Sequence, residues 1–167
     1  MFNAKNNLII FLIIIVIFII CMLAIFFEVG YEKVLTISNQ ETGEIYIERR
    51  VESEDTIEYK WIHSFEHIPW TEKFKIMDNH HLLLYEMTVA GFGAGIPENK
   101  GNVRIENGII IMSDIKQEFE KINWINSNTA LTYIKINDEI VIKGSEMPHH
   151  EPIKLIIKEK FSVWEKF

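Results

Sequence analysis

From position 8 to position 27 the chain reads LIIFLIIIVIFIICMLAIFF, twenty residues without a charge, an amide or a proline. At ~1.5 Å per helical residue such a run spans roughly 30 Å, the hydrocarbon thickness of a bilayer. The pattern predicts a single N-terminal transmembrane helix. The run leaves through Ile25, Phe26, Phe27 and Glu28 and offers no pair of small residues for signal cleavage. Bulky Phe18, Ile19 and Ile20 precede Cys21, where lipid attachment needs a small side chain, so an uncleaved anchor is the better reading. Lys5 lies before the run, whereas Glu28, Glu32 and Lys33 follow it. That asymmetry places residues 1–7 in the cytoplasm, 8–27 in the cytoplasmic membrane as a single pass, and a C-terminal domain, 31–167, outside.

Past residue 30 the period of the pattern drops from that of a helix to that of a strand. Short β-rich runs recur every 8 to 12 residues: KVLTIS, EIYIERR, DTIEYKWIHS, WTEKFKIM and HLLLYEMTVA, then NVRIE, GIIIMSD, ALTYIKI, EIVIKG and PIKLIIKEKF. Thr42-Gly43, Asp78-Asn79, Asn107-Gly108 and Asn137-Asp138 supply turn chemistry between them. An all-β domain follows, an antiparallel β-sandwich or a partly closed barrel. The segment from Ser113 to about Trp124 carries Ile115, Phe119 and Ile122 at near-helical spacing and reads as a short helix or an irregular strand.

The two-residue period also sorts faces. Ile57, Tyr59, Trp61 and His63 share one face of their run, and Trp70, Glu72, Phe74 and Ile76 share one face of the next, so a histidine and a carboxylate each continue an apolar surface. A hairpin loop of six or eight residues sets His63 opposite Trp70 or opposite Glu72. A two-residue turn at Asp78-Asn79 sets Phe74 opposite Leu83 and Glu72 opposite Tyr85. The expected core then includes Tyr59, Trp61, Phe74, Ile76, Leu83 and Tyr85.

Composition changes this picture in three ways. Lys5 is the one charged residue before position 28, which leaves 16 basic and 24 acidic side chains beyond it. A domain of net charge −8 has no basic face for nucleic acid, so no nucleic-acid partner is expected. The single cysteine, Cys21, excludes a disulfide framework within the chain and a cysteine-based zinc site.

Candidate chemistry gathers at one end of the expected sheet. The segment GFGAGIP, Gly91 to Pro97, follows the third strand and returns to the loop that joins the first two. Its glycines Gly91, Gly93 and Gly95 suit either a tight crossover or a nest of amides that accepts an anion; it is neither the dinucleotide fingerprint nor a Walker loop. The candidate cluster is thus His63, Ser64, Glu72, Tyr85, Gly91, Gly93, Gly95 and Pro97, either ligand-binding or a satisfied polar group closing the core. His63 and Ser64 are strand neighbours on opposite faces and cannot act as base and nucleophile together, and no serine sits in a GxSxG setting. No catalytic residue is assigned on these grounds. His63, Glu66, His67, His80, His81, His149, His150 and Glu151 lack a metal-ligand spacing, so no metal or other cofactor is assigned either.

The strand ending in His63-Ser64, the Pro69 to Glu72 segment and the Gly-Ala-Gly-x-Pro end of GFGAGIP together resemble domain-of-unknown-function family 1850, over about residues 33–160 and most specifically 57–97. The resemblance implies a small protein behind a membrane or export segment, often encoded beside TAXI-type TRAP transporter components. It adds association with a transporter subunit, or with a small anionic ligand, as an expectation. The leading reading is a membrane-anchored extracytoplasmic β-domain that binds a partner or ligand. The rival readings are a hydrolase using His63 and Glu72, and a structural cell-envelope module.

Overall fold

The computed structural model describes residues 4–91 and 100–165. The chain divides into two compact units, Met1–Glu32 with Lys160–Phe167, and Lys33–Glu159. The first holds helix α1, Ala4–Phe26, in which Asn7–Phe26 is long and apolar enough to cross a membrane. Strand β1, Phe27–Asn39, begins at the next residue, and its far partner β11 runs from Pro152 to Glu165.

The second unit is an antiparallel two-sheet sandwich rather than a closed barrel. One sheet has four strands in the order β2 (Ile45–Val51), β1, β11 and β8 (Lys121–Ile125). The other has seven, in the order β10 (Glu139–Ile142), β9 (Leu131–Ile136), β3 (Thr56–Ile62), β4 (Pro69–Ile76), β5 (Leu82–Val89), β7 (Ile109–Phe119) and β6 (Asn102–Glu106). Leu35, Ile37, Val51, Ile153 and Leu155 of the small sheet are buried in one cluster with Ile57, Phe74, Ile76, Leu82, Val89 and Ile134 of the large one. The segment from Ser113 to Trp124 is strand rather than helix: it forms the end of β7 and most of β8, and the left-handed Asp114 (φ 56°) bends β7 within it.

Turn chemistry explains the hairpins. Asn107-Gly108 (φ 52° and 80°) and Asn137-Asp138 (φ 46° and 68°) are both left-handed and close two-residue loops, with Glu106 opposite Ile109 and Ile136 opposite Glu139. Asp78-Asn79 does not behave this way. The His80 amide donates to the Met77 carbonyl at 3.1 Å, His80 itself turns left-handed (φ 66°), and the Met77 amide reaches the His81 carbonyl at 2.9 Å. The loop is therefore three residues, 78–80, one more than the sequence suggested.

That extra residue reverses the expected faces at the start of β5. Ile76 pairs with Leu82 and Phe74 with Leu84, so Leu82 and Leu84 are buried, not Leu83 and Tyr85. A bulge at Tyr85 absorbs one residue, since Phe74 pairs with Leu84 but Lys73 with Glu86. From there Met87 and Val89 are buried in the core. The β3–β4 connection errs in the opposite sense and by an even number. The His63 amide donates to the Ile68 carbonyl at 2.9 Å, which tightens the loop to residues 64–67 and shifts the register by two from the six-residue loop and by four from the eight-residue one. Faces are kept, but Trp61 pairs with Trp70 and Tyr59 with Glu72. Of the expected core, Tyr59, Phe74 and Ile76 are buried and Trp61 is half-buried against them.

Candidate functional site

The even shift moves His63 away from Glu72. Residue 72 stands opposite residue 59, four positions along β3 from His63, which is about 13 Å at ~3.3 Å per strand residue. His63 instead stacks on Trp70, with ring centroids 5.8 Å apart, and lies at the same distance from Trp61. Its Nδ1 accepts the Glu66 amide at 3.2 Å, so the histidine closes its own loop. Trp61 and Trp70 pack at 5.0 Å, which makes this end of the sheet an aromatic stack rather than an acid and base pair.

Glu72 lies deeper on the same face. Trp70 Nε1 donates to its Oε1 at 3.2 Å. Burial raises the Glu72 pKa above the usual carboxylate range, only partly offset by that hydrogen bond and by the Lys100 charge. Burial also raises the Tyr59 pKa well above the usual phenol range, and the negative charge of Glu72 opposite adds to it. Tyr85 is not part of this group. The bulge turns it to the outer face of the large sheet, among Thr56, Glu58 and Lys73 around a polar cavity of about 200 Å³. Ser64 is exposed in the 64–67 loop.

The glycine segment is partly visible. The Ala90 amide donates to the Pro69 carbonyl at 3.1 Å, and a Cβ on Gly91 would meet Ile68 Cδ1 at 3.2 Å. Gly91 thus lies beside the 63–68 loop, at the end of the sheet where the sequence placed it. Gly93, Gly95 and Pro97 lie outside the described residues.

What the sequence did not reveal is a cleft of about 350 Å³ where the two sheets part. Its walls are Tyr59, Trp61, Ile62 and Ser64 from β3 and the start of its loop, Trp124 and Ile125 from β8, Ser127 and Ala130 from the segment after β8, and Leu131 at the start of β9. Tyr59 and Trp124 meet edge to face across the sheets, with centroids 5.5 Å apart. The indole N–H of Trp124 is buried without a hydrogen-bond partner among the described residues. Asn126, fully buried, fixes the β8 end of the cleft: its Nδ2 donates to the Gly144, Met147 and Pro148 carbonyls at 2.9, 3.2 and 2.9 Å. No sequence motif signals this cleft, because its two walls are about 60 residues apart along the chain and meet through sheet packing alone.

Among the described residues, no three histidine, cysteine, aspartate or glutamate side chains converge on a point that would hold a metal ion. His149 and His150 stack on each other at 3.7 Å, and Asn39 Nδ2 donates to Glu151 Oε2 at 3.0 Å.

Residues 57–142 match the family described as Domain of unknown function (DUF1850), just over half of the chain. The chain belongs to this family. The DUF1850 match begins at the start of β3 and ends with β10, so it contains both walls of the aromatic cleft, Glu72 and the glycine segment. It omits α1, β1, β2 and β11. No curated protein and no solved structure matches this DUF1850 chain.

Proposed function

We propose that this DUF1850 protein is a membrane-anchored, extracytoplasmic binding module whose aromatic cleft receives an apolar side chain of a membrane partner, and that the partner is a subunit of a TRAP-type (TAXI) transporter. The observation that carries the binding reading is the cleft itself. Three aromatic rings, the aliphatic side chains of Ile62, Ile125 and Leu131, and a buried indole donor with no partner among the described residues form a half-open hollow at the rim of the sandwich. Such a surface matches the aromatic, partly polar anchors that dominate protein interfaces. The transporter assignment rests on the family resemblance alone, and the anchor rests on the length and composition of α1. A small free acid is the less suitable occupant, because the cleft adjoins the Tyr59–Glu72 pair on a domain rich in carboxylates.

A hydrolase built on His63 and Glu72 finds no support in their separation, nor in a histidine whose Nδ1 already holds the Glu66 amide. The test is photo-crosslinking from the full chain in membranes that also contain the TRAP-type permease. A benzophenone side chain replacing Ser64, at the cleft mouth, should crosslink to the permease, and Trp124→Ala should remove that product. The same probe replacing Tyr85, on the outer face, should give none. Equal crosslinking from both positions, or none from position 64, overturns the proposal.

A further inference from the structure

The first compact unit contains more than a helix. β1 begins at Phe27, the residue after α1 ends, so no turn or linker separates the apolar helix from the strand. β11, its neighbour in the sheet, contributes Lys160 to Glu165 to the same unit. Along β1 the residues alternate Phe27, Val29 and Tyr31 against Glu28, Gly30 and Glu32. Along β11 they alternate Phe161 and Val163 against Lys160 and Ser162. Over residues 27–32 and 160–163 the two-residue period leaves one face apolar and the other polar or small.

The apolar face is the exposed one. Val29 is 63%, Tyr31 71%, Phe161 59% and Val163 55% exposed. Tyr31 and Phe161 meet edge to face at 5.7 Å, which joins the two strands' apolar residues into a single patch. Within the sandwich the same odd-numbered positions of β1 and β11, such as Leu35, Ile37, Ile153 and Leu155, are fully buried. An exposed two-stranded patch of this kind marks a contact surface.

We infer that this ribbon lies in the interfacial layer of the lipid bilayer, with Val29, Tyr31, Phe161 and Val163 turned into the headgroup and upper acyl region. The inference rests on the reading of α1 as a membrane anchor. Continuity with α1 selects the occupant. Val29 and Tyr31 are only about 10 and 16 Å of extended chain beyond Phe26 at ~3.3 Å per residue, and the unbroken join keeps both strands beside the membrane surface. Each interfacial layer is roughly 5–8 Å deep, which a ribbon lying flat fills with one face while the other meets water. Tyrosine, apolar at its ring and polar at its hydroxyl, is enriched at that depth. A ribbon so seated would fix the orientation of the chain at the membrane surface where a single helix leaves it free to rotate.

The test uses the full chain in phosphatidylcholine–phosphatidylglycerol vesicles and a nitroxide label. Native Cys21, the only cysteine in the chain, reports on α1. Labels at Val29→Cys, Val163→Cys and Ser162→Cys are read one at a time in a Cys21→Ser background. Collision with oxygen, which partitions into lipid, is compared with collision with a water-soluble nickel complex. The expected result is an oxygen-to-nickel ratio several-fold higher at 29 and 163 than at 162, and higher still at 21. If the label at 21 is deep but 29 and 163 are as nickel-accessible as 162, the anchor stands and the ribbon inference falls. If the label at 21 is itself nickel-accessible, the anchor reading fails and the inference with it. If labels at 29 are shielded from both reagents and show spin–spin broadening that dilution with unlabelled chain removes, the occupant is a second copy and the lipid assignment is overturned.

Discussion

Glu72 stands directly opposite Tyr59 in the β3–β4 ladder, two acids facing each other on the inner side of the large sheet. Burial pushes the pKa of both upward, and the Glu72 charge pushes that of Tyr59 further. The carboxyl group therefore costs stability when it ionises.

Glu72→Gln should make the sign of this effect visible. The folded-state pKa lies above the ordinary glutamate value of ~4.3, so the native state holds its proton more tightly than the unfolded chain. Stability from this group is present below that ordinary value and is lost as pH rises through the folded value. Glutamine keeps an acceptor for Trp70 Nε1 and removes the charge. The variant should melt above the parent at pH 7, with the difference closing as the pH falls below the ordinary glutamate value. A variant that melts lower at pH 7 would mean that Trp70 and Lys100 more than repay the burial of the charge.

The one-residue slip after Met77 is tested by a pair of truncations. Leu84→Ala, at a buried site that a two-residue turn would have put on the outer face, should cost about 2–5 kcal/mol in urea denaturation. Tyr85→Ala, on the outer face beside Lys73 and Glu58, should cost no more than about 1 kcal/mol. A large cost at Tyr85 would place it back in the core, and the bulge would be wrong.

Asn126 is the most heavily committed polar side chain near the cleft. Asn126→Ala leaves the Gly144, Met147 and Pro148 carbonyls without their shared donor, and the expected loss is about 2–4 kcal/mol. Equilibrium denaturation measures it. A loss under about 0.5 kcal/mol would show that the 144–148 turn is held by other contacts.

The side of the membrane is open to a direct experiment. With residues 31–167 outside, protease added to wall-stripped cells should digest the β-domain while the membrane is intact. Protection until lysis would reverse the orientation drawn from Lys5.

Much of this protein follows from period alone. An unbroken apolar run of twenty residues can satisfy its backbone in an apolar setting only as a helix, and α1 covers almost all of it. Alternation at two residues placed Tyr59, Trp61, His63, Trp70, Glu72, Phe74 and Ile76 on shared faces, and each pairing in β3–β4 keeps them there. Face assignment within a strand is local, because it depends only on the pleat. Asn107-Gly108 and Asn137-Asp138 closed the hairpins that their chemistry indicated, again a local matter.

Register between strands depends on loop length, and here the tertiary structure decided. Asn137-Asp138 makes a two-residue turn, whereas the same two residue types in reverse order, Asp78-Asn79, sit in a three-residue loop that ends at left-handed His80. The sequence does not distinguish them, because the choice is made by which β5 residues the core can bury. Leu82 and Leu84 won that place, Tyr85 was expelled through a bulge, and Met87 and Val89 came back into phase. The tightening of the connection to residues 64–67, an even change from either expected length, preserved every face yet parted His63 from Glu72. The cleft between Trp61 and Trp124 belongs wholly to tertiary structure. Its walls come from different sheets, and only the stacking of those sheets brings them together.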